Sequence, residues 1–216
     1  MFKGIVPIQI DIETADIRTT GKILSLGAVN MNTGAKSYWK FDPHVGMNAD
    51  RTVAKGTMYW WENKVDPETR DEAWGGEETM EVVLPKIKQW FKKQGVFRDI
   101  HVFANPSTFD CLFIEDAIQQ LNLIGGDIGK MWMSTNVHNY KTFTRLAWGV
   151  HKVDDVSEIM RELGYHNKHA HSAIADAVYQ TEVLYEACKK LGTDLPVAPI
   201  QLRSTTLQGN SMRSPE

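Results

Sequence analysis

The sequence predicts an α/β protein: a mixed central sheet whose first three strands are antiparallel, with helices on both faces. Three observations carry this expectation. Val6, Ile8, Ile10 and Ile12 alternate with Pro7, Gln9, Asp11 and Glu13, the period-two pattern of a strand with one apolar face. Two further runs, 23–31 and 36–41, flank the turn Asn32-Thr33-Gly34 and extend that strand into an antiparallel meander. Helical periodicity then takes over, most clearly in 77–93, 111–123 and 172–191.

The first strand ends in two acids. Side chains two apart on a strand project to the same side, so Asp11 and Glu13 point out together, and no Lys or Arg stands beside them before Arg18. Such a pair suits a solvated strand end, and equally a strand that holds a hard divalent cation by oxygen. A polar loop, 14–21, leads to the second and third strands.

The segment 52–63 carries Val53, Met58 and the pair Trp60-Trp61, and Asp66-Pro67-Glu68 reads as a helix start with Pro at its first position. Large aromatics pack against sheets, and they also offer rings on which bases of single-stranded nucleic acid stack. Adjacent helical residues point about 100° apart, so the two rings can divide these roles. Residues 100–104 form a short strand, 105–110 a turn and 111–123 a helix. Asp110 stands at that helix start, where a carboxylate also serves as a cap or complements the helix dipole. Met131-Trp132-Met133 is read as a short strand, and 141–148 and 156–163 as helices. The run Tyr165-His166-Asn167-Lys168-His169-Ala170-His171 enters the long amphipathic helix 172–191, and from 196 the chain becomes a polar, loosely attached tail.

Length and composition fit one folded domain, expected over 1–195, followed by the tail 196–216. The chain has 216 residues, 42% hydrophobic and 24% charged, enough for a single sizeable core. No apolar run approaches the roughly 20 residues of a membrane span, and the first ten residues lack the pattern of a signal peptide. Only Cys111 and Cys188 occur, without metal-ligand spacing, which points to a reduced, cytoplasmic protein. A formal net charge of -3 argues against a non-specific cationic coat for nucleic acid. It does not exclude nucleic acid itself, because bound cations reverse the local sign of an acidic site.

Taken in order, the acids and one histidine resemble the DEDD 3′-5′ exonucleases, the superfamily of polymerase proofreading subunits, ribonuclease T and oligoribonuclease. Asp11-Ile12-Glu13-Thr14 resembles the first motif, Asn105-Pro106-Ser107-Thr108-Phe109-Asp110 the second, and His171-Ser172-Ala173-Ile174-Ala175-Asp176 the third. The spacing His-x₄-Asp marks the histidine branch, DEDDh; the tyrosine branch would need Tyr at position 172, which is Ser. Thr57-Met58-Tyr59-Trp60-Trp61-Glu62-Asn63, followed by Pro67-Glu68-Thr69-Arg70, looks like the phage exonuclease A type. Where relatives often carry Asp-Thr or Asp-x-Arg-Thr, this chain has Val137-His138-Asn139-Tyr140-Lys141-Thr142, a departure that concerns a substrate contact rather than the metal site.

The resemblance implies a ribonuclease H-like fold and a phosphodiester hydrolase that releases 5′-mononucleotides from a 3′ end. Single-stranded DNA is the expected substrate, RNA the alternative, and a decayed nucleic-acid-binding domain the reading outside enzymes. It implies two Mg²⁺ or Mn²⁺ ions about 3.5–4 Å apart, held by Asp11, Glu13, Asp110 and Asp176. His171 would be the general base, since an imidazole ordinarily titrates near neutral pH. Residues five apart on a helix share no face, so His171 must lie at or before the first turn of the last helix. Thr14, Phe109, Trp60, Trp61 and Asn105 are the expected substrate contacts.

Overall fold

The computed structural model describes residues 4–150 and 153–193. Among them, five strands form one sheet in the order β3-β2-β1-β4-β5: β1 (Val6–Thr14), β2 (Ile23–Asn30), β3 (Lys36–Lys40), β4 (Ile100–Ala104) and β5 (Val137–Asn139). β1–β2 and β2–β3 are antiparallel; β4 runs parallel to β1, and β5 parallel to β4. The expected mixed sheet with an antiparallel opening is therefore present. The helices are α1 (Lys55–Lys64), α2 (Pro67–Trp74), α3 (Met80–Gln94), α4 (Ser107–Leu123), α5 (Tyr140–Trp148), α6 (Val153–Glu162) and α7 (Ala173–Lys190).

Local chemistry sets several of their ends. Asp66 caps α2 by accepting the Thr69 N–H at 3.1 Å, with Pro67 behind it. Asn139 closes β5 and opens α5 by accepting from the N–H groups of Lys141 and Thr142. That helix stops at Gly149, whose φ of 66° is a left-handed conformation that glycine adopts freely.

The alternation in β1 sorts its side chains to two buried faces. Ile8, Ile10 and Ile12 join Leu26, Ala28 and Val102 against α3 and α4, with Leu84, Ile87, Phe113 and Ala117 opposite. On the other face, Phe103 of β4 packs with Tyr140, Val183 and Leu184 beneath α5 and α7. Each fully buried aliphatic or aromatic side chain contributes about 1.5–3 kcal/mol. The polar face of β1 is not solvated as a strand with one apolar face would be: Gln9 is 0%, Asp11 8% and Glu13 9% exposed. The reason is α7, which lies across β1 and β2.

Two further expectations change. Residues 131–133 are not a strand; the fifth strand comes later, at Val137–Asn139. Met131 and Trp132 are nonetheless buried, with the Trp132 ring 5.4 Å from that of Phe91, so their apolar character fills the core beneath a loop. Three residues are too few for alternation to tell the two apart. Secondly, α4 begins at Ser107 rather than at Cys111, which puts Asp110 inside its first turn. The tail expected from 196 lies outside the described residues.

The seat of α7 on the sheet depends on Gly27. This residue stands opposite Asp11 in the β1–β2 ladder, and a Cβ there would lie 2.3 Å from the carbonyl oxygen of Ala173 and 2.5 Å from Cα of Ile174. Backbone cannot yield as a side chain tip can, so Gly27→Ala should push the first turn of α7 off the sheet. Overpacking of this kind costs about 1–3 kcal/mol. A thermal melt of Gly27→Ala superimposable on the parent's would show that the helix does not sit this close.

Candidate active site

The parallel strands β1 and β4 end on the same side of the sheet, and the crevice beyond the carboxyl ends of such strands is where α/β proteins bind ligands. β4 pairs with β1 only as far as Gln9, opposite Phe103. Past that point the Ile12 N–H has no strand partner, and Asp110 Oδ1, from the first turn of α4, accepts it at 3.0 Å. This bond places the α4 carboxylate beside the peptide that separates Asp11 from Glu13.

The fourth acid arrives from the opposite face on α7. Asp176 Oδ2 accepts the backbone N–H of His171 at 2.8 Å, and its Oδ1 accepts from the Asn167 side-chain amide. His171 precedes α7, in the left-handed region with φ of 72°. It is thus off the helix, as its five-residue separation from Asp176 requires. Glu13, His171 and Asp176 each present a possible ligand atom within 4.8 Å of the others. Trp60 meets the His171 ring edge to face, with centroids 4.6 Å apart.

Burial raises all four carboxylates, and at Asp11 and Glu13 the neighbouring acids add to it. Asp11 and Glu13 are pushed well above the ordinary carboxylate range, first by burial and then by the other acids. Burial also raises Asp110, to about 7, against the pull of the Ile12 N–H and the Lys141 charge. Asp176 is raised by burial and held down by the His171 N–H. Among the described residues no ion pair reaches these four: Arg18 binds Asp16, and Arg51 binds Asp116 at 2.9 Å. Asp110 Oδ2 and Asn105 Oδ1 are buried without a hydrogen-bond partner. Orphaned oxygens in a cluster of raised carboxylates fit a hard divalent cation, which takes oxygen ligands and favours their charged form.

The expected substrate contacts divide. Trp61 does not offer a stacking face: it is 1% exposed, packs among Leu24, Val65 and Ala73, and donates its indole N–H to Thr14 O at 2.9 Å. Trp60, the next ring, is half-buried and reaches His171. Phe109 is half-buried one residue before Asp110, its ring 4.6 Å from that of Phe113. Thr14 is 7% exposed, and its hydroxyl donates to Asp16 O at 2.7 Å, closing the turn after β1. His166 and His169 are exposed, and only His171 joins the acids.

Two site residues had no place in the expectations, Asn167 and Gln180. The first holds Asp176; the second donates from Nε2 to Asp11 Oδ1 at 2.7 Å. Gln180 lies one helical turn past Asp176, so helical spacing alone could have flagged it. Nothing local marks Asn167.

No curated protein matches the chain. Solved structures do match it in fold: exonuclease I, at 14% identity and a TM-score of 0.59 over 86% of this chain and 41% of that one. An E. coli exonuclease I bound to single-stranded DNA and zinc gives 12% identity and a TM-score of 0.62 over 87% of this chain and 41% of that one. A 3′-exonuclease that recognises the histone mRNA stem-loop gives 12% and 0.54 over 88% of this chain and 83% of that one. The chain spans about two fifths of the exonuclease I chains. These likenesses establish the ribonuclease H-like fold. The family model of the Rv2179c-like 3′-5′ exoribonuclease domain matches residues 7–188, which takes in all three motifs and both faces of the sheet. The chain therefore belongs to the Rv2179c-like 3′-5′ exoribonuclease domain family, within the DEDDh 3′-5′ exonuclease superfamily.

Proposed function

We propose that this exonuclease hydrolyses single-stranded nucleic acid from its 3′ end with the help of divalent cations, releasing 5′-mononucleotides. The observation that carries the reading is the convergence of Asp11, Glu13, Asp110, Asp176 and His171 at one end of the sheet, with orphaned oxygens among them. Mg²⁺ or Mn²⁺ held by the four carboxylates would activate water and neutralise charge building on the phosphate. The ring nitrogen of His171 that lies within 4.8 Å of Glu13 and Asp176 takes the proton of the attacking water. Trp60 and Phe109, half-buried at the rim, receive the terminal bases by stacking.

RNA leads as substrate, on the description of the family. DNA is the second reading, favoured by the phage-type run at 57–63 and by the exonuclease I likeness, one example of which holds single-stranded DNA. The test is a pair of 5′-labelled oligonucleotides, one RNA and one DNA, incubated with Mn²⁺ or EDTA. Ladders that shorten from the 3′ end, only with metal, and free 5′-mononucleotides are expected. Release of 3′-phosphates, or cutting of a circular single strand, would sink the reading, and the faster ladder assigns the sugar.

A further inference from the structure

Beneath the acids lies a buried chain of amides. Gln9 is 0% and Gln180 6% exposed. Gln9 stands two residues before Asp11 on β1 and shares its face, whereas Gln180 reaches the same spot from α7. Gln9 Nε2 donates to Gln180 Oε1 at 2.6 Å and to its neighbour Ile10 O at 2.9 Å. Gln180 Nε2 in turn donates to Asp11 Oδ1 at 2.7 Å. Among the described residues no other side chain bonds Asp11.

The direction of this chain is informative. Asp11 Oδ1 accepts from Gln180 Nε2, so Gln180 turns its NH₂ to Asp11 and its oxygen to Gln9. Gln9 must then turn its own NH₂ to Gln180, which leaves Gln9 Oε1 facing away, buried and without a partner. A pair of glutamines present only to fill space has no reason to orphan an oxygen. One that serves a carboxylate acceptor does. Gln9 donates to Gln180 and Gln180 to Asp11, and the unsatisfied atom sits at the far end.

We propose that Gln180, backed by Gln9, is a positioning residue for Asp11. It holds Oδ1 and so fixes the orientation of the carboxylate. The inference rests on the reading of Asp11 as a cation ligand. Partners that orient metal ligands typically govern about 10–100-fold in metal affinity, and Gln180 should do so here.

The test uses Gln180→Met, which keeps length and volume but cannot donate. Mn²⁺ binding is measured by calorimetry on the full chain, with melting in EDTA as the control for folding. The dissociation constant for Mn²⁺ should rise about 10–100-fold, and the Mn²⁺ concentration for half-maximal activity should rise with it. KM for the oligonucleotide at saturating Mn²⁺ should stay at the parent's value. Loss confined to the melting temperature, with Mn²⁺ affinity unchanged, would overturn the proposal. Should Gln180→Met not fold, Gln9→Met breaks the chain one bond further out and should weaken Mn²⁺ binding in the same sense by less; an unchanged constant there overturns it too. A parent that binds no Mn²⁺ would instead remove the cation-site reading itself, a result visible before any variant is made.

Discussion

Asp110→Asn should melt above the parent in EDTA, below it in saturating Mn²⁺, and be inactive in both. Asp110 is buried, and burial lifts its folded pKa to about 7, above the ordinary 3.8. The sign follows from linkage: a raised pKa gives a contribution fully present below about pH 4 and lost as pH rises through about 7. At pH 8 without metal, the parent therefore carries a penalty on the order of a few kcal/mol. Asn keeps an oxygen for the Ile12 N–H and removes the charge. At about 2–4 °C per kcal/mol for a chain of this size, the variant should melt roughly 5–10 °C higher. Cation binding then reverses the order, since a ligand at a hundred times its Kd stabilises the parent by about 2.7 kcal/mol and the variant, one oxygen short, by much less. Activity should fall at least about 10³-fold, because metal assistance lowers the pKa of attacking water by roughly eight units. Two melts per protein, with EDTA and with Mn²⁺, check the inversion. Curves that do not respond to metal would mean that the four acids form no common site.

His171→Ala should lower turnover by about 10²–10⁴, the usual worth of a general base, and leave Mn²⁺ affinity near the parent's. The backbone N–H that binds Asp176 survives this substitution, so the turn before α7 keeps its anchor. What disappears is the ring between Trp60 and the acids. His169→Ala is the control: its side chain is exposed, and it should be nearly silent. Two results would count against the assignment. One is damage from His169→Ala in place of His171→Ala. The other is a large loss of Mn²⁺ affinity in His171→Ala, which would make the imidazole a ligand alongside Glu13 and Asp176.

The parts of the fold that were legible in the sequence are those written in local periodicity. Alternation in 6–13 gave β1 and the common direction of Asp11 and Glu13, and the order of acids named the candidate site before any contact was known. The less legible parts depend on what packs on top. Gln9 reads as the solvent side of a strand, and only the arrival of α7 buries it. Trp60 and Trp61 look alike in the sequence, and one is core while the other borders the site, because a helix turns about 100° between them. Gly27 looks like a weak point in an apolar run until the backbone of Ala173 is seen above it. Met131 and Trp132 mimic a strand because burial, rather than alternation, selects their residue types.

The placement of Asp176 and Gln180 on α7 also has a consequence for the moment of synthesis. Asp11 and Asp176 are 165 positions apart in the chain (176 − 11), so a ribosome adding about 5–20 residues per second separates them by roughly 10–30 s. During that interval β1 exists with its two acids, and the helix that completes the proposed site does not. A chain released early, between residues 110 and 170, would carry three of the four carboxylates and no His171. On the proposed reading, an exonuclease built this way stays inert until translation has passed the final helix.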